Sequence, residues 1–365
     1  MADKLQVGII GAGMIATQAH IPGWKEQAEH AEIVAIADSL GNRAEFIARR
    51  EGIPHAYGDW EKMLRERKPD VVIVATPNSY HKPQTIAALQ AGAHVLCEKP
   101  AATSCADAEA MFEAAAKAKR HLFVGQSGRF QHRARAAKQI VDAGQLGGIY
   151  FAESTGMRRR GIPKWGQFHM KEHSSGGPIL DLGVHAIDLL YWLMGNPKVE
   201  AVSSAAYTKI GNRDEGVFTS DKESGAFEGV LTARPYSYKD FTVEDMAAGF
   251  IRLAGGATVV IKAAWAANIP QNTGGTILLG DRGGLVMDPL TLVSNTGSYQ
   301  SNTEIRLPEE PHGWFTGQYR EAEHFIRVIR GQEPLLVKRE EVLNVMRTLD
   351  ALYRSAAEGR EVRAN

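Results

Sequence analysis

Leu5-Gln6-Val7-Gly8-Ile9-Ile10-Gly11-Ala12-Gly13-Met14-Ile15-Ala16 is a short apolar run that breaks into G-x-G-x-x-A. A strand passing through such a turn into a helix is the setting a dinucleotide fingerprint requires. Gly11 suits the tight turn, Gly13 lets the backbone approach a pyrophosphate, and Ala16 permits close packing of helix on strand. The helix start around Met14 and Ile15 offers N–H groups and a positive dipole end to phosphates. A second run, Glu32-Ile33-Val34-Ala35-Ile36-Ala37, ends in Asp38. A carboxylate about 20 residues after the glycines binds ribose hydroxyls and repels a 2′-phosphate, so NAD is expected over NADP. Ser39 and Arg43 leave some room for NADP.

Outward from this start, apolar runs alternate with helical segments. Val71-Val72-Ile73-Val74-Ala75 has the unbroken apolar character of a strand buried in a parallel sheet. It ends in Thr76-Pro77-Asn78, with His81 opening the next helix. His94-Val95-Leu96-Cys97 ends in Glu98-Lys99-Pro100, and His121-Leu122-Phe123-Val124-Gly125 leads to Gln126. Ligands of open α/β sheets bind beyond the carboxyl ends of the strands. Thr76, Asn78, His81, Glu98, Lys99 and Gln126 therefore join Gly11, Gly13, Met14, Ile15 and Asp38 as candidate cofactor residues. Turn and capping chemistry accounts equally well for Thr76, Asn78 and His81. A Glu-Lys pair at the end of a buried strand is harder to explain unless it is paired or used.

The expected fold is α/β, with a doubly wound parallel sheet over residues 1–125 and a second α/β domain over 126–365. In the second domain the strands lengthen and alternate, at Ile149–Met157, Val199–Tyr207, 225–232, 248–254 and 258–267. That pattern predicts a mainly antiparallel, open sheet. Helices are expected at 129–143, 177–194, 317–330 and Arg339–Glu358.

Between the first two of those strands lies Ser174-Ser175-Gly176-Gly177-Pro178-Ile179-Leu180-Asp181-Leu182-Gly183-Val184-His185-Ala186-Ile187-Asp188. Ser175 or Gly176 suits a cap, and Pro178 suits a first turn. Asp181, His185 and Asp188 fall at i, i+4 and i+7, on one helical face. A carboxylate one turn from an imidazole can orient that ring and tune its basicity. Gly183 costs about 1 kcal/mol against Ala in a helix interior, which points to a close approach there. Nearby, Arg158-Arg159-Arg160 reads first as a solvated loop. Trp165, beside Lys164, suits either stacking on a sugar or nicotinamide ring or an interface.

Composition excludes several classes. Lys and Arg total 42 against 42 Asp and Glu, so no global field favours nucleic acid or an anionic membrane. No apolar run approaches a membrane span. Two cysteines, Cys97 and Cys105, make no disulfide framework, which fits a reducing cytoplasm. His169, His173, Asp181 and His185 are metal-ligand types, but the first two lie in a loop that does not ensure convergence, and no metal is expected.

GAGMIA, the TPN after the third main strand, Glu98-Lys99-Pro100 and Gly176-Gly177-x-x-x-Asp181-x-Gly183-x-His185-x-x-Asp188 together resemble the Gfo/Idh/MocA oxidoreductases, along essentially the whole chain. Ala16 stands where that family often has Gly. The resemblance implies a Rossmann domain and an α/β domain whose open sheet mediates a homodimer or homotetramer. It also implies Lys99, Asp181 and His185 as the catalytic set. Oxidising a secondary alcohol requires a proton acceptor, and an imidazole with an ordinary pKa near about 6.5 suits that task. A lysine beside the reacting oxygen stabilises its developing charge. The expectation is an NAD-dependent dehydrogenase or reductase acting on a secondary hydroxyl of a sugar, anhydrosugar, cyclitol or sugar derivative. Lys99, Arg158, Lys164, Asp181 and His185 are its candidate substrate residues, and Trp165 joins the cofactor set. The alternative is an NAD-dependent glycoside hydrolase using transient oxidation at C3, with Tyr150, Tyr191 or Glu172 as its acid or base.

Overall fold

A computed structural model describes residues 4–214 and 236–364, and the strand expected at 225–232 lies outside them. The chain divides into two compact units. One combines the residues up to Phe130 with Pro311–Arg339, and the other begins at Gln131 and takes in most of the remainder, including Glu340–Asn365.

The first unit is built on six strands: β1 Leu5–Ile10, β2 Ala31–Ala37, β3 His55–Tyr57, β4 Val71–Val74, β5 His94–Glu98 and β6 Leu122–Gly125. Every pairing is parallel and the order is β3-β2-β1-β4-β5-β6. Strand order reverses beside β1, which creates the crevice where dinucleotides bind in doubly wound sheets. The central strands are largely apolar because helices cover both faces of such a sheet; β4 and β6 are buried at every position. Local chemistry starts the helices between them. Asp59 accepts the N–H groups of Glu61 and Lys62 at the head of Trp60–Arg67, and Ser104 accepts that of Asp107 at the head of Cys105–Ala118. The helix Thr316–Ile329 also belongs to this unit and packs on Ile21–Glu26 and Ser127–Phe130.

The second unit holds a nine-stranded sheet: β7 Ile149–Met157, β8 Val199–Tyr207, β9 Met246–Leu253, β10 Thr258–Ala264, β11 Thr273–Gly280, β12 Gly284–Met287, β13 Leu290–Thr296, β14 Tyr299–Glu304 and β15 Val362–Arg363. Its order is β14-β13-β12-β11-β7-β10-β9-β8-β15. All pairings are antiparallel except β7 with β10. Alternate residues such as Ala152, Val259, Ile261, Ile251 and Leu278 are buried. On that face lie the helices Val184–Leu193 and Arg339–Glu358, tied to one another by the Tyr191–Thr348 hydroxyl pair at 2.9 Å. The other face carries Phe151, Phe250 and Val260 at intermediate exposure, with Glu153 and Lys262 paired at 2.7 Å.

Three local expectations are revised. The expected strand over 258–267 stops at Ala264. The expected helix over 129–143 begins only at His132, after a 3-10 turn at Ser127–Phe130. The expected continuous helix over 177–194 is a π-turn, Ile179–Gly183, followed by an α-helix, Val184–Leu193.

Candidate active site

The carboxyl ends of β1, β2 and β4 meet at the glycine turn. Gly11 has φ +101°, and a Cβ there would lie 2.5 Å from the Ala75 carbonyl oxygen, so only glycine lets β1 turn against β4. At Gly13 a Cβ would meet nothing within 4 Å, which leaves a backbone cradle open on that side. Asp38 receives the Ala12 N–H at 2.9 Å through Oδ2 and the Leu40 N–H at 2.9 Å through Oδ1. The Arg43 guanidinium stands 3.7 Å from Oδ2. The acid expected to read the ribose therefore also braces the glycine loop. An open glycine cradle, a helix start and a carboxylate at the end of β2 fit a dinucleotide.

At β4 and β5 the polar residues hold the two loops together. Thr76 Oγ1 donates to Gln84 Oε1 at 2.6 Å. His81 is almost fully buried, and its ring nitrogens face the carbonyl oxygens of Pro100 at 2.8 Å and Thr76 at 2.9 Å. Its ring thus spans the loops that follow both strands. Burial lowers the His81 pKa, and the two carbonyls only partly oppose that shift. Asn78 sits in a 3-10 turn, and Gln126 is buried with an amide oxygen that has no hydrogen-bond partner among the described residues.

Glu98 is buried and takes the His20 ring at 2.7 Å and the Lys99 backbone N–H at 3.1 Å. Burial alone would raise its pKa, but His20 and Lys99 more than offset this and hold it below the ordinary glutamate value. Glu98 therefore anchors the Lys99 backbone, and its partner His20 closes a second π-turn, Ala16–His20, in the helix that follows the glycines. The Lys99–Pro100 peptide is cis, and Lys99 is half-buried.

In the second unit, Asp181 lies in the π-turn and His185 in the first turn of the α-helix, both half-buried, whereas Asp188 is buried. The start of this helix is not capped by Ser175 or Gly176. Ser175, at φ +66°, ends the short helix Lys171–Ser174. Glu244, just before β9, supplies the cap instead. Its Oε2 accepts the Gly177 N–H at 3.0 Å, and its Oε1 accepts the Ile179 N–H at 3.3 Å and the Tyr353 hydroxyl at 2.8 Å. Burial raises the Glu244 pKa against these hydrogen bonds, and burial plus the Glu244 charge raises that of Tyr353. A Cβ at Gly176 would meet the Tyr353 hydroxyl at 2.0 Å, and one at Gly177 the Glu244 carbonyl oxygen at 2.1 Å. The close approach expected at Gly183 occurs at this glycine pair. At Gly183 itself the nearest atom is Ile179 Cδ1, from the preceding turn, at 3.0 Å.

Asp181 has a partner that sequence reasoning missed: Trp265 Nε1 donates to its Oδ2 at 3.0 Å. The contact spans 84 residues of sequence, so no local spacing signals it. The neighbouring loop is largely self-engaged. Arg158 donates to the Gly161 carbonyl, Arg159 to Pro270, and Arg160 to Ala267 and Asn268, so the arginines expected in a solvated loop brace 267–270. Lys164 Nζ stands 5.2 Å from the centre of the Tyr236 ring, and Trp165 packs beside Phe168 at 5.8 Å. His169 is buried against Tyr236 and Phe241, and His173 pairs with Glu172 at 3.1 Å. Among the acids considered for hydrolysis, Tyr191 is fully buried on Thr348 and its pKa is raised, which removes it as a proton donor to a substrate.

Known proteins match over the full length. Residues 5–126 match the oxidoreductase family with an NAD-binding Rossmann fold, and residues 138–363 match that family's C-terminal alpha/beta domain. The chain is 31% identical over 363 residues to the D-glucoside 3-dehydrogenase of Escherichia coli K12, covering 99% of this chain and 98% of that one. It is 27% identical over 361 residues to a D-xylose 1-dehydrogenase (NADP(+)) of Haloferax volcanii, covering 98% and 99%. Among solved structures, the aldose-aldose oxidoreductase of Caulobacter crescentus superposes with a TM-score of 0.76 at 26% identity, covering 99% and 100%. A levoglucosan dehydrogenase in complex with NADH superposes at 0.82 over 100% of both chains, at 23% identity, and shows the shared fold. By both of its domains, this chain belongs to the Gfo/Idh/MocA oxidoreductases and carries their NAD-binding Rossmann fold.

Proposed function

We propose that the protein interconverts a secondary hydroxyl and a ketone on a sugar, anhydrosugar, cyclitol or sugar derivative, with Lys99, Asp181 and His185 as its catalytic set. The observation that carries this reading is the placement of Asp181 and His185, both half-buried, on a helix start held from outside by Glu244. A helix capped by a remote buried carboxylate is a rigid mount for proton-handling groups. The full-length likeness to a glucoside 3-dehydrogenase supports the substrate class.

NAD, when bound, supplies the hydride acceptor. Gly11, Gly13, Met14, Ile15 and Asp38 would hold it, with Thr76, Asn78, Glu98, Lys99 and Gln126 along the strand ends; His81, expected in the cofactor set, has both ring nitrogens on backbone carbonyls and orders two of these loops instead. His185 takes the hydroxyl proton as general base. Lys99 hydrogen-bonds the reacting oxygen and stabilises its charge. Asp181 orients substrate hydroxyls and supports the basicity of His185. Arg158, Lys164 and Trp165 belong to a loop that sets substrate choice by shape. Residues 1–125 serve the dinucleotide, and 126–365 serve the substrate and self-association. The half-exposed face of the nine-stranded sheet suits a homodimer or homotetramer, and the two unbridged cysteines suit the cytoplasm.

Methyl glucosides, inositols and pentoses, screened for NAD+ reduction, test the reading. Lys99→Met and His185→Ala should each lower turnover at least ~10²-fold with NAD binding retained. Full activity in both variants refutes the assignment.

A further inference from the structure

The buried indole of Trp265 faces Asp181 from just beyond the end of β10, and nothing in the family's motifs names it. We propose that Trp265 is a positioning residue that holds the Asp181 carboxylate in one orientation for catalysis. The proposal rests on the reading of Asp181 as part of the catalytic set.

An indole N–H donates and never accepts. The Trp265 ring is fully buried among Ile162, Phe241, Val243 and Ala266, an apolar setting in which an unpaired N–H is costly. Its partner is Asp181 Oδ2, at 3.0 Å. A donor aimed at a carboxylate favours the charged form, and bonds of this kind are stronger than neutral ones.

The indole is itself held by the sheet. The Trp265 backbone N–H donates to the Asp245 carbonyl at 2.9 Å. The Asp245 carboxylate in turn gathers the N–H groups of Lys209, Ile210 and Gly211 at 2.7, 2.6 and 2.9 Å. The strand leading to Trp265 is paired on both sides, with β7 and β9. Asp181 sits in a π-turn whose backbone is held at its start, with the Asp181 N–H on the Gly177 carbonyl at 3.0 Å, so what remains to be oriented is the side chain. The catalytic carboxylate thus takes its bearing from the sheet through Trp265, while Glu244, next to Asp245 in sequence, fixes the start of the helix.

A double-mutant cycle of Trp265→Phe and Asp181→Asn tests this, with methyl β-D-glucoside, myo-inositol and D-xylose as probes and NAD+ as acceptor. Trp265→Phe should lower kcat about 10-fold, the loss of one hydrogen bond to a charged group. The KM for NAD+ should hold. In the Asp181→Asn background the same change should cost less than about 2-fold. Independently of any substrate, the Trp265 indole 15N–1H resonance should move on Asp181→Asn. Equal losses in both backgrounds, or an unmoved resonance, overturn the proposal alone. An Asp181→Asn enzyme with full activity overturns the catalytic reading of Asp181, and this proposal with it.

Discussion

Two glycines six residues apart in one motif should respond to alanine in opposite ways. At Gly177 the new Cβ would lie 2.1 Å from the Glu244 carbonyl oxygen, 2.9 Å from its Cδ and 3.1 Å from its carbonyl carbon. The first distance falls more than 1 Å short of the 3.4 Å at which ordinary contact begins, and the obstacle is backbone. Glu244 must retreat, which stretches its bonds to the N–H groups of Gly177 and Ile179. Overpacking costs about 1–3 kcal/mol, and two weakened hydrogen bonds add about 0.5–1.5 kcal/mol each. Gly177→Ala should therefore lose about 2–6 kcal/mol, or on the order of 4–24 °C in melting temperature for a domain of this size. At Gly183 the backbone is already helical, at φ −63° and ψ −34°, and the nearest obstacle is the tip of the flexible Ile179 side chain at 3.0 Å. Alanine gains about 1 kcal/mol of helix propensity there, so Gly183→Ala should stay within about 1 kcal/mol of the parent. Urea and thermal unfolding of both variants decide it. A Gly177→Ala protein as stable as the parent, or a Gly183→Ala protein weaker than Gly177→Ala, would show that the Glu244 contact does not secure the helix start.

Replacing Asp38 with Ser should remove both the charge that repels a 2′-phosphate and a brace of the glycine loop, leaving Arg43 beside the site. The ratio of kcat/KM for NADP+ to that for NAD+ should rise at least ~10-fold, with KM for NAD+ increased; an unchanged ratio counts against Asp38 as the ribose acid. His94, stacked on His121 at 5.1 Å, has its pKa lowered to about 4 by burial and by the charges of His121 and Arg120, against Asp70. Its Nδ1 accepts the His121 N–H at 3.1 Å, which requires that nitrogen unprotonated. Since the folded state disfavours the proton, its contribution to stability is full above the ordinary histidine pKa of about 6.5 and is lost as pH falls toward about 4. His94→Gln should flatten the stability–pH curve in that window, and an NMR titration midpoint near the ordinary value would refute the shift.

Much of the architecture could be read directly because its signals are local. The G-x-G-x-x-A turn, the all-apolar β4 and the alternating β7 and β8 each carry their identity within a few residues. Strands β11 and β14 do not: Thr273-Gly274-Gly275-Thr276 and Ser301-Asn302-Thr303 are polar or glycine-rich, and they become strands through their sheet partners. The candidate site divides in the same way. Asp181 and His185 were legible from helical spacing, and Glu98-Lys99 from the cost of charge at a buried strand end. Glu244, Trp265 and Tyr353 were not, because each acts across 65 or more residues of sequence. The glycine signal was right in kind and misplaced in position, since propensity marks a costly glycine but not the atom that requires it.

The paired π-turns, Ala16–His20 and Ile179–Gly183, carry a consequence for how this fold tolerates changes in length. A π-turn is an α-helix that has absorbed one surplus residue. Each unit therefore has a point where a single deletion would leave a helix intact. Such a deletion would restore regular winding and leave both flanks near their present headings, because the wide turn and the α-turn that replaces it each close about one revolution. Gaps placed here when related chains are aligned are therefore compatible with an unchanged bearing of the site.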